Sequence, residues 1–262
     1  MRALSIGATG MEAQQLNVEV ISNNIANLST TGFKRSRAEF QDLLYQNMRS
    51  VGSASSDTGT VLPSGLQVGL GVKPAATYRI NEQGNLVVTN NPLDLAVNGR
   101  GFFQLTLPDG STAYTRAGSF QLNETGQMVT ADGYQIIPSI TVPVTATAIT
   151  INASGQVLAT IPGQTSQTTL GQFQIANFIN PTGLDAIGGN NFRETTASGS
   201  PTTGNPQAIG FGAIVQGSLE TSNVDIVSEI TSLITAQRAY EMNSKVINTA
   251  DQMLSTANQM KT

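Results

Sequence analysis

Cysteine and histidine are both missing from this 262-residue chain. Without cysteine there are no disulfides and no thiolate metal sites, and either redox compartment is open to it. Without histidine it also lacks the commonest general base and the commonest zinc ligand. Aromatic residues are scarce at 5% and hydrophobic residues reach only 39%, against 26 glycines, so a thin core is expected, of β character with many loops. Positive charge is in deficit: 13 Lys and Arg face 17 Asp and Glu, a net charge of -4. That balance argues against a surface of clustered cations for phosphates, and so against nucleic acid as a partner. No apolar run approaches the roughly 18 residues of a membrane span, so no membrane insertion is expected. The opening MRALSIGATGMEAQQ is interrupted by Gly7, Thr9, Gly10 and Glu12 before an apolar signal region forms. A cleaved secretory signal is therefore not expected, and any export must use another route.

What is present is a period of seven at both ends. Leu4, Met11, Val18 and Ile25 recur every seven residues, with Ile21 and Leu28 three residues after the last two, which is the a/d pattern of a helical seam. Gly7 and Gln14 weaken its first two heptads. Leu28-Ser29-Thr30-Thr31-Gly32 reads as the helix end, with Gly32 at or near the left-handed capping position. At the far end Ser222-Asn223-Val224-Asp225 resembles a capping box, and Ile226, Leu233, Tyr240, Ile247 and Leu254 again recur every seven. Ile230, Val246, Met253 and Met260 add a second apolar stripe, and Ala236, Ala250 and Ala257 flank the seam. No Pro or Gly interrupts residues 222 to 262, so a helix of about 36 residues is expected there. Two amphipathic helices packed on the intervening domain would explain either end alone; seams at both termini favour a coiled coil made by the two ends. Several seam positions are polar or small, so such a pair is expected to be marginal alone and to order beside copies from neighbouring subunits.

Between the ends the pattern changes to short β-prone runs bounded by Gly, Asn and Asp. NEQGNLVVT from Asn81, NETGQMVT from Asn123 and NASGQVLAT from Asn152 each place Asn-x-x-Gly before such a run, which predicts a tight loop with Gly84, Gly126 or Gly155 at positive φ. Residues 101 to 122 predict two strands joined through Pro108-Asp109-Gly110, then a turn at Ala117-Gly118 into a third strand. Residues 188 to 210 are largely polar and predict a surface excursion. Residues 50 to 77 read equally as an extended packing arm or a flexible linker. The fold class is mixed α and β: long N- and C-terminal helices forming a coiled coil, a central β-rich domain and an extended linking arm. The expected domains are an N-terminal helix over 1–32, a linking region with the arm over 33–80, the β-rich domain over 81–218 and a C-terminal helix over 219–262.

Catalytic chemistry finds little support. Asp94, Asp109, Glu124, Asp132 and Asp185 are the carboxylates a hydrolase would draw on, but Asp109 and Asp132 sit in Asp-Gly turns and Glu124 follows a loop asparagine. Ser244 and Lys245 are helix neighbours about 100° apart and form no catalytic pair. No nucleotide-binding or nucleophile-elbow motif occurs. No enzyme activity, metal or cofactor is expected.

The residues quoted resemble the flagellar rod and hook family of axial proteins. Asn23-Asn24-Ile25-Ala26-Asn27 through Thr31, Gly32, Phe33 and Lys34 is similar to the family motif N-N-x-A-N-x-x-T-x-G-[FY]-K. NGRGFFQL at Asn98, YTRAGSFQLN at Tyr114 and the run from Glu220 to Leu254 are similar to its central and closing motifs. Residues 62 to 74, with Leu62, Pro63, Gly65, Leu66, Gly69, Gly71 and Pro74, resemble an arm that some members carry, and the length fits a rod member better than the longer hook protein. The resemblance implies a tube with the paired terminal helices as its inner layer and the β-domain facing outward, transmitting torque from motor to hook and filament. It implies as partners copies of the same chain, other rod and hook proteins, the surrounding ring or bushing proteins and the flagellar type III export apparatus. Asn23, Asn24 and Asn27 are candidates for side-chain hydrogen bonds at the turn between helix and arm, or else ordinary solvated helix-end residues. Within this family the alternative is a proximal rod or hook protein; outside it the alternatives are a secreted β-rich adhesin or binding module and a carboxylate-dependent wall hydrolase.

Overall fold

Heptad-patterned ends fold as helices and the turn-rich middle as short strands in the computed structural model, which describes residues 2–49, 64–164 and 166–260. The chain divides into two compact units. One comprises Met1–Ile25, Ser36–Tyr78 and Ile226–Thr262; the other comprises Ala26–Arg35 and Arg79–Asp225.

The first unit holds both helices. α1 spans Arg2–Ala26 and α2 spans Ile226–Gln259, 34 residues. The four threonines of α2, Thr231, Thr235, Thr249 and Thr256, each donate their hydroxyl to the carbonyl four residues earlier, which satisfies the hydroxyl inside the helix. α1 stops six residues before Gly32. Asn27 accepts from the Thr30 amide at 3.2 Å through its carbonyl and from Thr30 Oγ1 at 3.1 Å through its side chain, a local turn that competes with another helical residue. Gly32 is in the left-handed region at φ +69°, but its amide donates to the Glu220 carbonyl at 2.8 Å and not to the helix end. Four strands complete this unit: β1 (Ser36–Asp42), β2 (Tyr45–Arg49), β3 (Leu66–Gly69) and β4 (Val72–Arg79). β1 pairs with β4, and β2 runs antiparallel to β3 with Tyr45 opposite Gly69.

The second unit is β-rich. Its strands are β5 (Leu86–Val88), β6 (Leu95–Asn98), β7 (Phe102–Thr106), β8 (Thr112–Thr115), β9 (Gln121–Leu122), β10 (Met128–Val129), β11 (Gln135–Ile137), β12 (Ala148–Ile151), β13 (Gln156–Thr160), β14 (Thr168–Gln172), β15 (Ile175–Asn177), β16 (Asp185–Gly188), β17 (Asn191–Arg193), β18 (Thr202–Gly204), β19 (Ala213–Gln216) and β20 (Ser218–Glu220). β7 is the centre of a nine-stranded sheet: β8 lies on one edge, and β15 and β11 follow one another along the other. Strand alternation explains the Phe102-Phe103 pair. Phe103 and Leu105 enter the main core with Leu95, Phe120, Ile136 and Phe173, while Phe102 joins Tyr114, Phe178, Leu184 and Phe192 in a second cluster on the opposite face. The rings of the second cluster meet edge to face at 4.8 to 6.1 Å, the arrangement aromatic quadrupoles favour.

The hairpin through Pro108-Asp109-Gly110 is present, with Gly110 at φ +82°. The run expected as its third strand, β9, pairs instead with β10. Two of the three Asn-x-x-Gly repeats fold alike: Asn123 and Asn152 each accept the Gly126 or Gly155 amide, and each side chain caps the amide of Gln127 or Gln156 at 2.8 Å. The Asn81 copy departs from this pattern. Gly84 is not at positive φ, and its amide donates to the Glu220 carboxylate at 3.0 Å. Residues 188 to 210 are not a surface excursion throughout. β17 and β18 belong to the main sheet, Phe192 sits in the aromatic cluster and Ser198 is buried; with one large apolar residue in β17 and none in β18, period-two alternation has nothing to register.

Candidate self-assembly surface

The helices of the first unit touch in antiparallel order. Asn24 near the end of α1 donates from Nδ2 to Glu229 near the start of α2 at 3.3 Å. Gly10 faces Asn243 and Gly7 faces Ile247, so closely that a Cβ on either glycine would lie 2.9 Å from the opposing side chain. The missing side chains on α1 allow this approach; the buried residues of α2 are Glu229, Ala236 and Ala250. These three lie three positions after Ile226, Leu233 and Ile247, in separate heptads of the seam. Ala236 and Ala250 were expected to flank the seam, whereas Glu229 is polar and gives no apolar signal.

The predicted seam divides across this arrangement. Ile21 is buried; Leu4, Met11, Val18 and Ile25 of α1 and Leu233 and Ile247 of α2 are half-buried. Leu28 is half-buried too, in the turns beyond α1. Ile226, Ile230, Tyr240 and Leu254 remain 41 to 43% exposed. Val227, Ile234, Met242, Val246 and Met253 are exposed as well. A two-helix pair shelters one face of each helix and leaves these rows in water, an apolar display of the kind that marks an interaction surface.

Among the motif asparagines, Asn24 is 1% exposed. It donates to the Ser36 carbonyl and accepts the Ser36 amide, both at 2.8 Å, while also reaching Glu229. One side chain thereby ties α1, β1 and α2 together. Asn23 lies exposed on α1, and Asn27 holds the turn described above. Thr31 offers its carbonyl to Asn190 Nδ2 at 3.0 Å. A Cβ at Gly32 would sit 2.8 Å from the Ala117 amide nitrogen, so only glycine fits there.

Sequence reasoning missed the most buried charges of the second unit. Glu220, fully buried, accepts from Lys34 Nζ at 2.6 Å and from the Gly84 amide through Oε1. Its Oε2 lies 3.0 Å from Arg116 Nε without hydrogen-bond alignment. Arg116 also donates to the carbonyls of Gly99 and Gly101. Burial pulls both Lys34 and Arg116 below their ordinary pKa values, and the Glu220 carboxylate opposes that shift in each. Nothing local in the sequence joins the three: Lys34 stands beside Arg35, and Arg116 and Glu220 lie far along the chain.

Of the arm, Leu62 and Pro63 lie outside the described residues. Gly65 precedes β3, Leu66 is exposed, and Gly69 rests on the Tyr45 ring. Gly71, at φ +123°, approaches Thr9 of α1, whose Oγ1 accepts the Val72 amide at 3.5 Å. Pro74 lies within β4 and is exposed.

Three of the five carboxylates weighed for hydrolysis have structural partners. Asp94 accepts from Thr89 and Asn91, Asp109 from the amide and hydroxyl of Ser111, and Asp185 pairs with Arg193 at 3.5 Å. Among the described residues no helix is long and apolar enough to cross a membrane.

Three family models match this chain: flagella basal body rod protein over residues 4–34, flagellar hook protein FlgE/F/G D1 domain over 96–159, and flagellar basal body rod FlgEFG protein C-terminal over 215–260. The flagellar basal-body rod protein FlgG of Caulobacter vibrioides is 59% identical over 261 residues, covering 100% of both chains. The chain belongs to the flagellar basal-body rod protein family. Rod proteins FlgG of Agrobacterium fabrum and Bacillus subtilis are 55% and 40% identical, each covering 97% of both chains. The three rod and hook matches fall on α1 with the asparagine turn, on β6 through most of β13, and on β19 through α2. Rod-family membership makes the chain a structural protein of the flagellar basal body and removes the adhesin and wall-hydrolase readings.

Proposed function

We propose that this chain is the building block of the distal rod of the bacterial flagellum, polymerising into a rigid tube that carries torque from motor to hook and filament. The observation that carries it is full-length similarity to rod proteins combined with apolar rows on α2 that the chain's own α1 leaves uncovered. In this reading α1 and α2 form a coiled coil whose outer rows pack on those of neighbouring copies in the inner layer of the tube. Of the seam residues named above, the exposed Ile226, Ile230, Tyr240 and Leu254 supply that packing, and residues 62 to 74 act as a packing arm between copies. The β-rich unit then forms the outer layer facing the ring proteins, and the subunit travels through the flagellar export apparatus without a cleaved signal.

Removing the gene and isolating basal bodies tests this by electron microscopy. Rods that stop short and carry no hook are expected, with full rods restored by the wild-type chain; complete hook-bearing rods in its absence would end the proposal.

A further inference from the structure

The second unit contains a cleft of about 410 Å³ whose charged lining is entirely cationic: Lys34, Arg100 and Arg116. Glu220, the acid that meets two of them, does not line it. One carboxylate buried against two buried cations leaves one positive charge in excess, and an uncompensated buried charge is costly. Two more donors face the same space. Asn81 lines the cleft, and its Nδ2 is buried without a hydrogen-bond partner. Lys34 has committed two of an ammonium's three hydrogens, to Glu220 and to the Glu82 carbonyl. Arg100 is exposed, with no acid in ion-pairing range among the described residues. Cations and an unspent amide donor around one cavity fit an anion that accepts hydrogen bonds.

The rim indicates what carries that anion. Ile179 lines the cleft and is 91% exposed, beside Pro181. A free inorganic ion gains nothing from such contacts, whereas a carboxylate on a folded surface brings apolar neighbours with it. The chain has an excess of acids, 17 against 13 basic residues, so its own copies offer complementary charge. We propose that the cleft receives an acidic side chain from a second copy of this chain when copies pack in the rod. The proposal rests on the rod-subunit reading and adds to it a polar contact made by the β-rich unit, independent of the helices.

The test uses basal bodies assembled in cells. Arg100→Glu should lower the number of completed rods about tenfold by placing like charge where the partner's acid docks, while Arg100→Lys keeps it within about twofold. The secreted Arg100→Glu monomer should melt with the wild type, since this side chain is exposed. In basal bodies carrying Arg100→Lys, a carbodiimide should join position 100 to an Asp or Glu of another copy, read by mass spectrometry. Normal rods with Arg100→Glu and no such crosslink would overturn the proposal and leave the rod reading intact. A crosslink to a different protein would overturn the choice of occupant. Basal bodies without this chain would overturn the rod reading and the proposal together.

Discussion

Glu220 shows how much one residue decides in a thin core. Its carboxylate faces both Lys34 and Arg116 in a site where all three side chains are at most 5% exposed. Glu220→Gln keeps the shape but leaves two like charges buried, and should lower unfolding free energy by about 3–5 kcal/mol. Lys34→Met removes the surplus cation and leaves Glu220 facing Arg116, so its loss should be less than half as large. Denaturant titration of the two variants decides, and equal losses would mean that the surplus charge does not matter. Tyr114 adds a pH dependence of definite sign. Burial first, and then Glu194 at 3.4 Å, raise its phenol from 10.0 to about 12. Because the folded value is the higher one, the contribution of Tyr114 is whole below pH 10 and is lost as pH climbs toward about 12. Tyr114→Phe should flatten the fall in melting temperature over that window; an unchanged slope would place the alkaline loss elsewhere.

At the scale of elements, the two glycines of α1 separate packing from helix propensity. Gly→Ala inside a helix gains about 1 kcal/mol, but at Gly7 the new methyl would lie 2.9 Å from the branched body of Ile247, and overpacking of that kind costs about 1–3 kcal/mol. At Gly10 it meets only the movable amide end of Asn243. Gly10→Ala should therefore be the more stable variant by thermal melting, and Ile247→Ala, which removes both Cγ1 and Cδ1, should cost less stability in the Gly7→Ala background than in the wild type; the reverse order would mean that the helices do not meet here. The same contrast explains what was legible beforehand. Leu233 and Ile247 announce α2 because large apolar residues at a fixed period register as a stripe, whereas Glu229 and Asn243, which meet α1, do not. Asn-x-x-Gly predicted the loops at Asn123 and Asn152 because the asparagine side chain closes each loop by itself. It failed at Asn81 because Gly84 donates to Glu220, 136 residues away, and local sequence carries no record of such a partner. Lys34, Arg116 and Glu220 were illegible as a cluster for the same reason.

For the whole molecule, the question is which face of α2 belongs to the subunit and which to the polymer. Ile247 lies against Gly7 of the same chain, whereas Ile230 and Val246 are 43% and 49% exposed. Ile247→Asp would bury a charge inside the isolated subunit and loosen it, so lost motility in that variant would not distinguish folding from assembly. Ile230→Asp combined with Val246→Asp does distinguish them. In the free subunit both carboxylates stay in water, where surface changes alter stability by no more than about 0.5 kcal/mol, so helical circular dichroism and export should match the wild type. In a tube whose copies meet through these rows, each carboxylate would be desolvated without a partner at every contact, costing several kcal/mol. Because each copy repeats the defect, rods should fail to elongate and cells should not swim. Normal swimming by the double variant would show that these rows face solvent in the assembled rod, and the inner-layer assignment of α2 would fall.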